Sequence, residues 1–499
     1  MKKNICFVVL IILSLSLTGC PPRTCSTSSS DETGAQCNVS GEPIVNSGKS
    51  LPSEMELGNY GGAYGGVTED VSFESIDSIN SINVVELPQF EAPQFEAPQL
   101  EAPQISSPIE SNAVELDVIE SDAVTDTSSE SVPAAESQTD NQASDQAPVK
   151  EITKDIFGTM PSGENVYVYT LTNANGVSMK VLNLGGIIFE LNVPDKMGKM
   201  GNISANLETV DQYLSDSPNF GTLVGRYGNR IAKAKFTIDD EEHQLVPNDG
   251  ENLLHGGNNG FHKKLWGVEE WKGDDFVGLK LSLTSDEKDQ GFPGTVQCLV
   301  TYKLNDKNEL EINYEATTDK ATPINLTQHT YFNMSAFTTP NILDDVMMIN
   351  ADHYIAVDSA LIPTGEIASV EGTPMDFRKP TPIGERIDQV GDQPKGYDHC
   401  YVLNKTNPDE LTLCARVYDP TTGRAMEVWT TEPGVQFYTG NFLDGKLHAF
   451  DHVYEKNAAF CLETQHFPDS PNHADFPNTI LHPGETYKTT TVFKFDTAK

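Results

Sequence analysis

From Ile152 onward, apolar and polar side chains alternate in short runs separated by turn residues. The clearest are Val166-Tyr-Val-Tyr-Thr-Leu, Val177-Ser-Met-Lys-Val-Leu, Val277-Gly-Leu-Lys-Leu-Ser-Leu, Val296-Gln-Cys-Leu-Val-Thr-Tyr and Leu310-Glu-Ile-Asn-Tyr. A period of two belongs to antiparallel strands with one face buried. No long run keeps the 3.6-residue period of an amphipathic helix. The pattern predicts an all-β fold, a large antiparallel β-sandwich of many strands. It is read as one domain over 151–499, because no internal linker divides it.

One run ends differently. Ala458-Ala-Phe-Cys-Leu462 is apolar and of strand length, and it closes on a single carboxylate, Glu463. Thr464-Gln465-His466 then turn polar, and Pro468, Asp469, Ser470, Pro471 and Asn472 break regular structure. Glu463 is therefore expected where a buried strand meets a loop, at the rim of a core. A partly desolvated carboxylate has a raised pKa, which suits a general base. Taken alone, a strand-end Glu facing water or a neighbouring cation is the commoner case.

Ahead of the β pattern the composition changes twice. Lys2 and Lys3 precede an apolar stretch, Cys6 to Leu17, too short to span a bilayer as a helix. It ends Leu17-Thr-Gly-Cys20, which resembles the bacterial lipoprotein signal. Residues 1–19 are then a signal peptide, and Cys20 carries lipid that anchors the mature chain to a membrane. Pro21 follows the cysteine where Asp would favour inner-membrane retention. The expected location is the bacterial cell envelope, on the periplasmic side of the outer membrane or at the cell surface. Residues 20–150 are rich in Ser, Pro, Gly, Glu and Asp. Between Pro21 and Lys150 stand 23 acidic residues against three basic ones. Such a segment buries too little apolar surface to offset its chain entropy and reads as a disordered tether. Within it Pro-Gln-Phe-Glu-Ala begins at Pro88 and again at Pro93, followed by Pro98-Gln-Leu-Glu-Ala. A Pro every fifth residue favours an extended spacer over a docking motif. The whole chain carries a formal net charge of −40, which argues against nucleic acid as a partner.

The eight cysteines decide little. Cys25 and Cys37 could pair in an oxidising compartment. Cys298, Cys400, Cys414 and Cys461 lie in apolar stretches, as buried thiols or as disulfides. No Cys-x-x-Cys spacing appears, and no metal site is expected.

Five polar constellations interrupt the β pattern: Gly225-Arg-Tyr-Gly-Asn-Arg-Ile231, Asn252-Leu-Leu-His-Gly-Gly257, Asn325-Leu-Thr-Gln-His-Thr-Tyr-Phe-Asn333, Gly396-Tyr-Asp-His-Cys-Tyr-Val-Leu403 and Pro433-Gly-Val-Gln-Phe-Tyr-Thr-Gly-Asn441. The glycines after His255 let backbone or ligand approach the imidazole closely. A lone His in a strand, such as His329, is more often a satisfied core residue than a catalyst. Aromatic faces beside Asn, Gln, Asp and Arg are the usual vocabulary of a sugar site.

Together with the Glu463 segment, these stretches resemble the aldose 1-epimerase (galactose mutarotase) family, from about Gly158 to Phe495. Asp289-Gln-Gly-Phe-Pro-Gly-Thr295 and Leu481-His-Pro-Gly-Glu-Thr-Tyr487 add to the likeness. The resemblance implies the β-supersandwich fold and the interconversion of α and β anomers of aldohexoses such as glucose and galactose. It implies Glu463 as the base at the C1 hydroxyl and His329 as the acid at the ring oxygen. His255, Asn229, Arg230, Asp398 and Gln436 would hold the sugar. Gln328 stands where the family often has Asn. One proton removed at O1 and one given at O5 open a hemiacetal without cofactor or covalent intermediate. No serine sits in a nucleophile-elbow setting.

Readings of other kinds are a tethered sugar receptor that no longer turns over, or an epimerase of a related sugar. A receptor has no need of a matched acid and base. A sugar-phosphate site would want a basic cluster near the motifs, and none is present. The preferred aldose, the oligomeric state and any partner of the repeat are not legible.

Overall fold

The computed structural model describes residues 149–215, 217–391 and 395–498. The lipobox, Cys20, Cys25, Cys37 and the proline repeats lie outside the described residues.

The alternating runs are strands. Val296–Asn305 buries every second residue, and it pairs antiparallel with Phe276–Ser285 on one side and Glu309–Thr318 on the other. These belong to a nine-stranded sheet that begins at Gly267–Lys272 and ends at Thr381–Pro382. Its middle strand is Tyr487–Thr497, which lies between Glu309–Thr318 and Arg424–Thr430. A five-stranded sheet is built from Glu151–Thr159 through Met200–Asn202, and consecutive strands are neighbours. A second five-stranded sheet runs in the order Pro363–Ser369, His353–Val357, Asp398–Val402, Gly434–Tyr438, Cys461–Gln465. Helix is scarce among the described residues. The one α-helix, Val210–Leu214, is started by a capping box between Thr209 and Gln212.

The main core gathers the inward face of the nine-stranded sheet (Val300, Ile312, Val428, Phe493) and one face of the second five-stranded sheet (Tyr401, Val435, Phe437, Leu462). Close packing of these apolar faces is the principal source of stability in such a sandwich. The four cysteines of this region are buried and free.

The Glu463 strand departs from expectation. It spans Cys461–Gln465, and all five residues are buried, so Glu463 is central rather than terminal. The polar residues that follow do not end the strand. Thr464 and Gln465 ladder against Val435 and Gly434, and the Thr464 hydroxyl meets that of Thr491 at 2.6 Å. The Thr464 hydroxyl, with a partner inside, is no signal to leave the core, whereas the Gln465 amide is held there by its backbone ladder with no side-chain partner.

Candidate active site

Register alone collects the site. In an antiparallel pair, residues directly opposite share a face, and so do residues two apart along a strand. Glu463 lies opposite Gln436, which lies opposite Cys400; Cys461 lies opposite Tyr438, which lies opposite Asp398. Asp398, Gln436, Tyr438, Cys461 and Glu463 therefore stand on one face of the second five-stranded sheet. Phe437 and Leu462, between them in sequence, face the main core.

His329 comes to this face from another element. It ends the strand Thr327–His329, which pairs with Thr222–Val224. Three residues later Phe332 exchanges two backbone hydrogen bonds with Phe460, at 2.7 and 2.9 Å. That bridge fixes the His329 segment against the Glu463 strand. His329 Nε2 then lies 3.5 Å from Glu463 Oε1, with both side chains almost fully buried. Tyr331 stacks on the imidazole at 5.1 Å, and His255 meets it edge-on at 5.0 Å.

The remaining groups come from two turns. Asn229, at φ 59°, accepts from its neighbour Arg230 N–H through Oδ1. Asn229 N–H donates to His255 Nδ1 at 3.2 Å, so His255 presents Nε2–H as its other ring nitrogen. The glycine after His255 serves backbone rather than ligand. A Cβ at Gly256, φ +77°, would sit 2.0 Å from the Gly225 carbonyl. Arg230 Nε donates to Asp249 Oδ2 at 2.8 Å, which holds the guanidinium. Gln436 Nε2 donates to Asp398 Oδ1 at 2.6 Å.

These residues enclose a cavity of about 180 Å³, lined by Asn229, Arg230, His255, His329, Asp398 and Glu463. Tyr331, Tyr438 and Phe442 wall its sides. It adjoins an open cleft of about 650 Å³ that shares Asn219, Leu254, His255, Tyr438 and Phe442 with it. Gln436 is not in the cavity wall and works through Asp398. In the cavity wall Glu463 Oε2 is a buried acceptor with no hydrogen-bond partner, and behind the wall Gln436 Oε1 is another. An unpaired buried acceptor is costly unless a ligand satisfies it.

Burial sets the protonation states. It raises Glu463 well above an ordinary carboxylate, with nearby Asp398 adding and Arg230 opposing. It brings His329 down to about 4. It lowers His255 well below its ordinary value as well, helped by His329, Arg230 and His262. Asp398 is raised by burial, against the pull of Arg230. His255, His329 and Glu463 place one donor atom each within 4.8 Å of one another. That spacing would admit a cation, and the chemistry described below does not call on one.

All seven sugar-site residues expected from sequence thus fall at one place. Tyr331, Tyr438, Phe442 and Asp249 were not singled out as site residues. For Tyr438 the signal was present: it stands two residues from Gln436, on the same face, whereas Phe437 beside it faces inward.

The structure is thus an antiparallel β-sandwich with an ionisable pair at the floor of a small cavity, the class of a small-ligand enzyme. Comparison with known proteins narrows the class. A family model described as aldose 1-epimerase matches residues 167–494. Galactose mutarotase of Rattus norvegicus is 42% identical over 348 residues, 70% of this chain and 99% of that protein. Aldose 1-epimerase of Escherichia coli (strain K12) is 34% identical over 339 residues, 67% of this chain and 96% of that one. Among solved structures, the crystal structure of an aldose epimerase homologue from C. elegans matches with a TM-score of 0.62 at 29% identity, over 67% of this chain and all of that one. That of galactose 1-epimerase from Lactobacillus acidophilus gives 0.61 at 27%, over 70% and 100%. The chain belongs to the aldose 1-epimerase family.

Proposed function

We propose that this protein is a mutarotase that interconverts the α and β anomers of aldohexoses, with Glu463 as general base and His329 as general acid. The observation that carries the reading is the Glu463–His329 contact at 3.5 Å, on the floor of a cavity ringed by Asn229, Arg230, His255 and Asp398.

The two groups hold one exchangeable proton between them, and they titrate as a pair. Burial favours the form with the proton on the carboxyl and a neutral imidazole. The reactive form has moved that proton to His329 Nε2, leaving Glu463 ionised. Glu463 takes the proton from the C1 hydroxyl as C1=O forms. The C1–O5 bond breaks, and O5 takes the proton from His329. The pair has then returned to its neutral form, with the open-chain aldehyde bound. Rotation about C1–C2 presents the other face of the carbonyl, and the reverse proton transfers close the ring as the other anomer. The neutral pair is thus matched to the ring-opened state, where the pair's charge separation has gone. Asp398, held by Gln436, and Arg230, held by Asp249, are placed to bind hydroxyls that do not react.

Polarimetry on freshly dissolved α-D-glucose and α-D-galactose tests this. Wild-type protein should speed the approach to anomeric equilibrium. Glu463→Gln and His329→Asn should each lose about 10²-fold or more. If wild type runs no faster than buffer on either aldose, the reading is wrong.

The lipid anchor at Cys20 is proposed on the lipobox alone. With it, the protein works at the surface of a membrane in the bacterial envelope. Cys20→Ala should move the protein from the membrane to the soluble fraction, and a variant that stays membrane-bound would refute the anchor.

A further inference from the structure

The proton exchanged in this site leaves from and returns to one nitrogen of His329, Nε2. The other nitrogen, Nδ1, has one side-chain hydrogen-bond partner among the described residues: the sulfur of Cys461, at 3.5 Å. Cys461 and Glu463 are two apart on one strand and share its face. The strand therefore holds the imidazole between consecutive inward side chains, a sulfur at Nδ1 and a carboxyl at Nε2. The Phe332–Phe460 bridge sets the height at which they meet.

We propose that Cys461 is a positioning residue for mutarotation: its sulfur accepts the Nδ1–H of His329 throughout the cycle, so that Nε2 alone exchanges the proton. This deepens the acid–base reading of the site and rests on it.

The argument follows from counting protons. In the neutral pair the Glu463 carboxyl carries the hydrogen that faces Nε2, so Nε2 is an acceptor and the imidazole's one N–H lies on Nδ1. Transfer of the carboxyl proton to Nε2 gives imidazolium, and Nδ1–H stays where it was. Donation to the sugar oxygen restores the neutral ring, again with Nδ1–H. In every state Nδ1 needs an acceptor, and Sγ is at that position. Cys461 is fully buried, and burial pushes its thiol well above its ordinary pKa, with Glu463 and Asp398 adding to the effect. It stays an uncharged thiol and does not compete for the proton. Sulfur is a weak acceptor, which orients the ring without drawing much charge from it. Partners of this kind, behind a working imidazole, fix tautomer and orientation elsewhere.

The test pairs kinetics with a spectroscopic readout on the full chain. The ¹⁵N signals of the His329 imidazole report which nitrogen is protonated, without any sugar present. Wild type should show the Nδ1–H form. Cys461→Ser keeps an acceptor at the same place. It should keep the Nδ1–H form and a kcat within about threefold. Cys461→Ala removes the acceptor. It should lose the preference for Nδ1–H and lower kcat at least about tenfold, with KM within about twofold. An Nε2–H form in wild type overturns the proposal. So does a Cys461→Ala protein that keeps either the Nδ1–H form or its kcat, and so does failure of Cys461→Ser to restore both. If wild type does not mutarotate any aldose, the function reading falls, and the ¹⁵N signals still decide whether the sulfur holds Nδ1–H.

Discussion

Glu463 is tuned by burial and by two neighbours of opposite sign. Desolvation does most to raise its pKa, Asp398 raises it further, and Arg230 pulls it down. In the proposed mechanism the Glu463–His329 pair acts while it holds one proton, so kcat/KM should fall on the basic side as the free enzyme's Glu463 gives that proton up to solvent. Replacing Asp398 by Asn removes one of the two influences that hold the proton on. The basic limb of the kcat/KM profile should then move to lower pH, while KM rises through loss of a hydroxyl contact. Arg230→Met should move the same limb to higher pH. Profiles that stay in place in both variants would show that Glu463 does not control the limb. At this scale the sequence was informative because chemistry-bearing residues are few and stand in long motifs. Glu463, His329, His255, Asn229, Arg230 and Asp398 could all be picked out. Cys461 reads as part of an apolar run, because burial alone makes a thiol look like a small hydrophobe. Its contact with His329 depends on a second strand, about which the residues around Cys461 say nothing.

The strands themselves were legible wherever one face is buried and the other is not. Val296–Asn305 and Glu309–Thr318 alternate cleanly, and their hairpin is local. The order of strands was not legible. Tyr487–Thr497 enters the middle of the nine-stranded sheet from the far end of the chain, and no local pattern encodes a pairing of that span. Nor do the motif residues announce which of them bind sugar and which hold the frame. Arg226, in the same motif as Asn229 and Arg230, is buried and never reaches the cavity. Its guanidinium donates to the carbonyls of Ser285, Asp286, Pro293 and Gly294 and to the hydroxyls of Ser285 and Thr322. It ties the motif to the Asp289-to-Thr295 turn, which explains why that turn accompanies the site motifs in sequence. Asn325 has a comparable task. It accepts from His466 N–H at 3.0 Å and exchanges backbone hydrogen bonds with Arg226 and Gly228. One residue thereby joins the His329 segment, the Asn229 turn and the end of the Glu463 strand. The geometry of the site is a property of these ties between elements, and each tie needs partners at least 59 residues apart.

Over the β domain, the imidazoles of His262, His329 and His399 and the carboxyls of Glu463 and Asp345 act on stability in opposite directions. His329 and His399 are brought down to about 4 and His262 to about 3, with burial the leading cause in each. The unfolded chain protonates these groups near 6.5, so acidification between 6.5 and 4 favours unfolding. Glu463 and Asp345 are raised well above their ordinary values, again chiefly by burial. Unfolded, they lose their protons near 4, and folded, they keep them to higher pH. Their contribution is full below about 4 and is lost as pH rises through the folded pKa. In the window from 4 to 6.5 the two sets offset one another. Above it the imidazole contribution is complete, and the carboxyl contribution keeps falling. Asp345 lets the second set be isolated, because it lies outside the sugar cavity. It is buried, Asp419 adds to the rise, and its Oδ2 has no hydrogen-bond partner. Asn imitates the protonated carboxyl at every pH. Asp345→Asn should therefore melt several degrees above wild type at pH 8 and converge with it near pH 4, with mutarotation unchanged. Melting curves of the two proteins at pH 4, 6 and 8 make the comparison. Equal melting temperatures at pH 8 would mean that Asp345 is ionised at little cost in the folded domain.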